Sequence, residues 1–192
     1  MIALKRPECP NPEALVSGKY DNPVNKDALR ESTSGKCMYC ESKMGDVSYA
    51  HIEHIKPKSK FSDLEFKWNN LGYSCQVCNT NKGNKFEETT PFINPYDENP
   101  EDYIVFLGFF IHQKQGSERG EYTIKAINLN RDDLVDSRKN KFHGIEKMIN
   151  AAYRTSNKSL QNQAISELKK EAEKDKEFSA MVKSVLSAHK IL

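Results

Sequence analysis

The stretch of sequence that decides the fold is residues 37–86, CMYCESKMGDVSYAHIEHIKPKSKFSDLEFKWNNLGYSCQVCNTNKGNKF. It holds four of the five cysteines of the 192-residue chain, arranged as two Cys-x-x-Cys pairs. Cys37 and Cys40 form the first pair, and Cys75 and Cys78 form the second. Two such pairs supply four thiolates in a tetrahedron, the arrangement of a structural zinc ion that keeps no position open for substrate. The sequence therefore predicts a four-cysteine zinc site.

Residues 41–74 separate the two pairs, a longer gap than the roughly 15–20 residues of a simple zinc ribbon. We therefore expect a further structure to be folded between the pairs. The alternative interpretation is a set of four buried or redox-active cysteines. Two Cys-x-x-Cys pairs in one protein from a reducing compartment favour a metal site over this alternative. Cys9 stands alone in a proline-rich segment and is expected to take no part in the metal site.

The composition limits the classes of function. A formal net charge of +2 and an isoelectric point near 8.2 allow nucleic-acid binding through a local basic surface, but not through overall charge. The longest apolar run, residues 103–111, has about half of the ~20 residues that a membrane-spanning helix needs. The first residues also lack the apolar core of a secretory signal. We expect a cytoplasmic protein without membrane contact.

The residues between and after the cysteine pairs resemble the HNH nuclease motif in its H-N-N form. Glu53-His54 is followed by Pro57, then by Trp68-Asn69-Asn70-Leu71, and finally by Asn79-x-x-Lys82-Gly83. The resemblance covers Cys37 to Phe86. It implies a metal-dependent endonuclease with a zinc-stapled ββα-metal HNH core. Together with the β-hairpin and the C-terminal helical region that later residues predict, this gives an α+β fold.

The resemblance also implies a role for each motif residue. His54 would be the general base that takes a proton from the attacking water, since an imidazole with a pKa near ~6.5 suits neutral pH. Glu53 and Asn79 would hold one divalent ion, magnesium or manganese, which stabilises charge on the phosphate and on the leaving oxygen. Asn70 would bond the backbone of the loop that bears His54 and so fix the direction of the imidazole.

Three points leave alternatives open. Many relatives have aspartate where this chain has Glu53, so the longer side chain makes the preferred metal uncertain. His51 shares a strand face with Glu53, and a structural or solvent-exposed role is favoured over that of a third ligand or phosphate contact. Asn81 is a rival to Asn79, but the step of nine residues from Asn70 favours Asn79.

Lysines lie on both sides of the motif and are expected to bind nucleic acid. Lys56 and Lys58 follow the base, whereas Lys82 and Lys85 follow Asn79, with Lys82 on the same helical face as Asn79. Lysine contacts to phosphate carry no base identity, so we expect weak sequence preference and strong salt dependence. DNA is the expected substrate, with RNA as the alternative.

The chain divides into four regions: a proline-rich arm (1–36), the segment whose resemblance implies a nuclease core (37–86), an acidic connector with a β-hairpin (87–130) and a helical region (131–192). In the arm, only Lys26 to Ser32 is predicted to be helical. YIVFLGFFI (103–111) and EYTIKAINL (121–129) are predicted to pair as the hairpin, from their β-branched and aromatic residues. Three helices follow, the first with Asn130 as N-cap and Asp133 in the capping-box position.

A wider resemblance extends over nearly the whole chain. The segments KRPECP, TTPFINPYDENPEDY and INLNRDDLVDSRK are similar to the HNH nuclease subunit of Septu-type and retron-associated antiphage systems. This resemblance implies an ABC- or SMC-like ATPase partner, docked on the helical region and the arm, and a nuclease that is silent when assembled or before infection. The rival hypotheses are a zinc-stabilised nucleic-acid binding module without catalysis and a stand-alone restriction or homing nuclease.

Overall fold

The computed structural model describes residues 1–44 and 50–192. The arm contains two helices, α1 (Pro12–Val16) and α2 (Pro23–Ser32). Each begins with a proline in its first turn, where the missing N–H is not needed, and each is capped by the asparagine before it. The helix predicted from Lys26 is confirmed and begins three residues earlier, but α1 was not predicted.

The nuclease core is built on an antiparallel hairpin of β1 (Ala50–His54) and β2 (Leu71–Cys75). The register pairs Ala50 with Cys75 and His54 with Leu71, so the base candidate is the last residue of β1, next to the loop that connects the two strands. Helix α3 (Gln76–Lys82) follows β2 directly and contacts both strands. The hairpin and this helix confirm the predicted ββα arrangement within the α+β fold.

The acidic connector is irregular over most of residues 87–102 and ends in a short 3-10 helix, Pro100–Asp102. Arg119 fixes it to the body of the protein. Its guanidinium donates hydrogen bonds to both carboxylate oxygens of Glu98, at 2.6 and 2.8 Å, and to the carbonyl of Pro91 at 3.0 Å. Phe92 and Ile93 are buried beside these contacts, so the connector is packed rather than free.

The predicted pairing of YIVFLGFFI with EYTIKAINL is wrong. The first stretch folds on itself as β3 (Ile104–Leu107) and β4 (Phe110–Gln113), with Ile104 opposite Gln113. Gly108 makes the tight turn possible, because its φ of +62° lies in the left-handed region that side chains disfavour. Most of the second stretch, residues 121–127, lies in helix α4 (Glu118–Ile127), and its last two residues follow the end of that helix.

Helix α4 forms in spite of its β-branched residues because its capping and spacing favour a helix. The Ser117 side chain accepts a hydrogen bond from the Gly120 backbone N–H at 3.1 Å, which caps the first turn. Gly120 is required there, since a Cβ would lie 2.3 Å from the Tyr103 carbonyl oxygen. Ile124 and Ile127 are buried at helical spacing. Composition alone therefore misled the strand prediction.

The three predicted C-terminal helices are confirmed as α5 (Asp132–Arg154), α6 (Lys158–Lys170) and α7 (Ser179–Ala188). The predicted N-cap is wrong, because the N-cap position of α5 is Arg131, without a side-chain cap. The Asn130 amide instead pairs with the backbone of Ile111, accepting from its N–H at 3.0 Å and donating to its carbonyl at 2.8 Å. Asn130 thus ties β4 to the start of the helical region.

A hydrophobic core extends from the arm through the nuclease hairpin to α7, and includes Leu29, Leu71, Ile93, Ile127 and Leu186. A buried polar cluster joins α7 to the first cysteine pair, where Glu41 accepts hydrogen bonds from Ser179 at 2.8 Å and Lys36 at 3.4 Å. Within the described ranges, none of the helices has the length and apolarity needed to cross a bilayer.

Candidate active site and zinc cluster

The four predicted cysteines meet at one point, with all their Sγ atoms within 4.8 Å of one another. Cys37 and Cys40 lie on the loop before β1, Cys75 ends β2, and Cys78 lies in the first turn of α3. Four thiolates bound to zinc at ~2.3 Å in a tetrahedron lie roughly 3.8 Å apart, close to the 4.0 Å between Cys40 and Cys75. The predicted four-cysteine cluster is confirmed, and its geometry suits zinc. Cys9 lies apart from it, with its thiol 3.6 Å from Asn25.

Two arginines from the helical region lie beside this cluster. Arg131 donates to the Cys78 sulfur at 3.5 Å. Burial lowers the pKa of Arg131, but the negative sulfurs of Cys78 and Cys40 outweigh it and raise the pKa overall. Sequence reasoning missed this contact, because RDDLVDSRK was interpreted as a helix start and as part of the wider resemblance, not as a partner of the cysteines.

Arg138 is fully buried without a carboxylate contact among the described residues. Its guanidinium donates to the Leu129 carbonyl at 2.6 Å, whereas its Nη1 lacks a hydrogen-bond partner in the described part of the chain. Burial lowers its pKa to about 10, and attraction to Cys40 partly offsets that shift. Zinc held by four thiolates carries two net negative charges, so Arg131 and Arg138 together would balance it.

The His54 imidazole is fixed at one nitrogen. Its Nε2 lies 3.0 Å from the backbone carbonyl of Glu65. A carbonyl oxygen only accepts hydrogen bonds, so Nε2 is the donor and Nδ1 carries the free lone pair in the neutral ring. Burial lowers the pKa of His54. The hydrogen bond to the Glu65 carbonyl raises it, but the positive charges of Lys58 and Lys82 lower it further, so the net shift is downward. The ring is therefore neutral and basic at Nδ1 at neutral pH.

The amide of Asn70 fixes the loop that follows His54. It accepts from the Lys56 backbone N–H at 2.8 Å and donates to the carbonyls of Lys56 at 3.0 Å and Leu64 at 3.1 Å. Both the oxygen and the nitrogen of this buried amide form hydrogen bonds with backbone groups, so the side chain holds the loop in place. This is the type of contact that the HNH resemblance implied.

Two side-chain contacts, one helical turn apart, join β1 to α3. His51 Nδ1 lies 3.1 Å from Asn79 Nδ2, and the Lys82 ammonium lies 2.5 Å from Glu53. Lys82 also donates to the His54 carbonyl at 2.8 Å. The sequence predicted Glu53 with Asn79 around one ion and Lys82 toward phosphate. The structure instead pairs Glu53 with Lys82 and Asn79 with His51.

Glu53 and Lys82 are both 1% exposed, so the carboxylate is held away from solvent. Burial raises the pKa of Glu53 to about 7, although the Lys82 charge acts in the opposite direction. Neither oxygen of Glu53 accepts a well-formed hydrogen bond from the described residues, so its ionic contact with Lys82 is its main compensation. A buried carboxylate with one cationic contact retains oxygen lone pairs that a metal cation can use.

The donor set fits a divalent ion. Glu53 offers carboxylate oxygens, and Asn79, whose amide nitrogen faces His51, retains its amide oxygen. Oxygen ligands of these two kinds are those that magnesium and manganese prefer. The rival Asn81 is used elsewhere, since its amide donates to the Ile127 carbonyl at 3.0 Å and joins α3 to α4.

The predicted nucleic-acid lysines are divided between surface and interior. Lys56 and Lys58 are exposed on the loop after His54, and Lys85 is exposed beyond α3. Lys58 contacts the Tyr20 hydroxyl at 3.2 Å and the Glu65 carboxylate at 3.0 Å. Lys82 differs from these three, because its ammonium lies inside against Glu53 and reaches phosphate only after leaving that contact.

Comparisons with known proteins identify relatives of the chain. The HNH endonuclease family model matches residues 37–85, which contain the hairpin, α3 and the four cysteines. A Septu protein PtuB from Bacillus thuringiensis is 31% identical over 214 aligned positions, covering 97% of this chain and 82% of the relative. A Septu protein PtuB from Bacillus mycoides (strain KBAB4) is 31% identical over 150 positions, covering 62% of this chain and 51% of the relative.

Proposed function

The chain belongs to the Septu PtuB family and is an endonuclease with an HNH domain, and from this premise we propose that it is the metal-dependent nuclease of an antiphage system. Its reaction would be hydrolysis of phosphodiester bonds in DNA. The observation that carries the proposal is the hydrogen bond between His54 Nε2 and the Glu65 carbonyl, which leaves Nδ1 as the free base.

His54 acts as the general base in this proposal. As the water oxygen bonds to phosphorus and the bond from phosphorus to the ester oxygen breaks, the water proton passes to Nδ1. The lowered pKa of His54 keeps this nitrogen free at neutral pH. Asn70 is a positioning residue, because its bonds to the Lys56 backbone hold the loop that follows the imidazole.

Glu53 and Asn79 would hold a magnesium or manganese ion, which when bound supplies positive charge for the phosphate and the leaving oxygen. The Lys82 ammonium already contacts Glu53, so ion binding would require Lys82 to move or to share the carboxylate. The four-cysteine cluster would hold structural zinc, and a reducing compartment such as the cytoplasm would keep its thiols available.

The nucleic-acid surface of this proposal lies on the loop after His54. Lys56 and Lys58 would contact the phosphate backbone there, and Lys85 would do so beyond α3. Such contacts depend on the phosphate charge and not on base identity. Cleavage would therefore show weak sequence preference and decline steeply as the salt concentration rises. DNA is the proposed substrate, and RNA is the alternative for the test.

An ABC- or SMC-like ATPase is the proposed partner. The arm is held against the nuclease core, because Arg6 donates to the carbonyls of Trp68 at 2.9 Å and Leu71 at 2.8 Å. Both regions expose large apolar side chains, with Val16 91% and Val24 53% exposed in the arm, and Tyr153 51% and Leu160 55% exposed in the helical region. Both therefore remain candidate docking sites, and Leu160 on α6 offers the test on the helical side. Loss of ATPase co-purification in Leu160→Asp, with zinc content kept, would support docking there.

The decisive experiment compares wild type with His54→Ala on plasmid DNA and on RNA, with magnesium, with manganese and without divalent ions, in the presence and absence of the ATPase. We expect wild type to cut with a divalent ion, and His54→Ala to lose at least about a hundredfold in rate with zinc content and melting temperature unchanged. His143→Ala, on the exposed face of α5, is the matched control.

Other results would favour the rival functions. Nucleic-acid binding that persists without divalent ions, together with no cleavage at any protein concentration, would indicate a zinc-stabilised binding module. Cuts at defined sites without the ATPase would indicate a stand-alone restriction or homing nuclease. Full activity of His54→Ala would exclude His54 as the base.

A further inference from the structure

The arm brings an aromatic residue from outside the HNH motif to the candidate base. The Tyr20 ring lies with its centroid 4.7 Å from that of the His54 imidazole, at an interplanar angle of 75°. This is the edge-to-face arrangement in which the positive edge of one ring meets the negative face of another. Gly18, with φ +76°, turns the chain beside the Phe66 ring and directs Tyr20 onto this surface.

We propose that Tyr20 is a positioning residue of the nuclease, which holds the His54 imidazole and the Lys58 ammonium in their working orientations. The inference rests on the proposed function of His54 as the base. It assigns to the arm a part in the catalytic site, beyond the docking role that the sequence suggested for it.

A closed chain of contacts connects the four residues involved. The Tyr20 hydroxyl lies 3.2 Å from Lys58 Nζ, which lies 3.0 Å from the Glu65 carboxylate. The Glu65 carbonyl in turn accepts from His54 Nε2 at 3.0 Å. Glu65 therefore holds the imidazole at one nitrogen, and Tyr20 restrains the same ring through its π system. The two residues also share Lys58, which the proposed function assigns to the phosphate backbone.

Anchoring of the arm does not depend on Tyr20. Arg6 bonds two backbone carbonyls of the core, and the Trp68 indole donates to the Pro7 carbonyl at 2.8 Å. Leu4 donates to the Pro95 carbonyl at 2.7 Å. Tyr20 itself is only half-buried. Removal of its ring should therefore leave the arm in place and change mainly the freedom of His54.

The expected effect is kinetic. If only one atom of the base is restrained, the imidazole spends more time in unproductive orientations. Small misplacements of reacting groups lower the rate considerably. Tyr20→Ala should lower kcat about tenfold and leave KM within about twofold, because Lys58 keeps its contact with the Glu65 carboxylate and the other phosphate-binding lysines are unchanged. Tyr20→Phe keeps the ring and should retain most of kcat.

The test uses full-length, zinc-loaded protein and has two readouts. In histidine side-chain ¹⁵N NMR, the His54 Nε2–H signal, assigned by its loss in a His54 variant, should exchange slowly in wild type and Tyr20→Phe, and at least about fivefold faster in Tyr20→Ala. The cleavage assay should give the matching fall in kcat. Lys19→Ala, an exposed neighbour, is the control and should behave as wild type in both.

Each outcome decides the proposal. Unchanged exchange in Tyr20→Ala would overturn it, as would an equal loss of kcat in Tyr20→Phe and Tyr20→Ala. Loss of zinc or of the folded state in Tyr20→Ala, with normal behaviour of Tyr20→Phe and Lys19→Ala, would show an anchoring role and also overturn it. If wild type cuts no substrate, the proposed function fails, but the NMR comparison still tests the contact between Tyr20 and His54.

Discussion

Lysine–glutamate pairs occur in both the nuclease core and the C-terminal helical region, but their surroundings differ. Lys82 and Glu53 in the core are each 1% exposed, whereas Lys170 and Glu167 on α6 are 55% and 52% exposed at a distance of 2.7 Å. An exposed pair contributes only about 0–1 kcal/mol. A buried pair leaves an uncompensated charge when one partner is removed. The same residue types thus join a strand to a helix in the core and solvate a surface in the helical region.

Removal of zinc should have the largest effect and should separate the two regions most clearly. Structural zinc contributes roughly 10 kcal/mol or more to small zinc modules. Cys78→Ser should therefore lose stoichiometric zinc and hydrogen-exchange protection across β1, β2 and α3, whereas α5 and α6 keep more of theirs. Cys9→Ser is the matched control and should retain zinc. Wild-type protection in Cys78→Ser would contradict the dependence of the core on the metal.

Loss of the buried ammonium group should have the next largest effect. Lys82→Met leaves Glu53 and the His54 carbonyl without their cation, and we expect the free energy of unfolding to fall by about 3 kcal/mol. Lys170→Met removes an exposed pair and should cost less than about 1 kcal/mol. Urea unfolding of both zinc-loaded variants measures the difference. Equal effects would remove the distinction between the two regions.

The pH dependence of stability also distinguishes the buried Lys82–Glu53 pair from the exposed pair on α6. Glu53 has a pKa raised from 4.5 to about 7, so the folded state binds the extra proton between those values. Glu53 therefore contributes to the free energy of unfolding at acidic pH. This contribution, up to about 3 kcal/mol, is lost as the pH rises toward 7. Glu53→Gln should remove this dependence, although it also leaves the buried Lys82 ammonium without its carboxylate.

The measurement is the difference in unfolding free energy between wild type and Glu53→Gln from pH 5.5 to 8, with zinc bound. Contributions from the thiols and from His54 are common to both proteins and cancel. A difference that does not change with pH would show that the carboxylate titrates normally. Glu167→Gln on α6 provides the exposed counterpart, because its carboxylate is 52% exposed in its pair with Lys170.

Arg131 belongs to the helical region in sequence but to the zinc cluster in space, and its loss should give the smallest effect. Partners that hydrogen-bond to metal ligands typically change metal affinity by about 10–100-fold. Arg131→Gln should therefore weaken zinc binding about tenfold in a competition assay with a chromophoric chelator. Arg154→Gln, exposed at the other end of α5, should not. Equal affinities would mean that the guanidinium does not stabilise the thiolates.

The features that the sequence predicted well depend on short-range spacing. The two Cys-x-x-Cys pairs, the residues around His54 and the helical periodicity from Leu134 to Leu186 each specify local geometry, and the cluster, the ββα unit and three helices follow from them. The strand prediction for EYTIKAINL failed because a capped helix start at Ser117 outweighed β-branched composition. The N-cap prediction failed because the Asn130 amide forms two hydrogen bonds with the backbone of Ile111 instead of capping α5.

The sequence alone determined which chemical groups the nuclease core contains, because ligand and motif residues are specified by type and spacing along the chain. The tertiary structure decided which of these groups meet. It placed the Lys82 ammonium against Glu53, the Tyr20 ring against His54 and the Arg131 guanidinium against Cys78. For the two contacts that involve a charged group, the physical reason is burial, since a charge that is removed from water is stabilised by whichever complementary groups lie nearby, however distant they are in sequence.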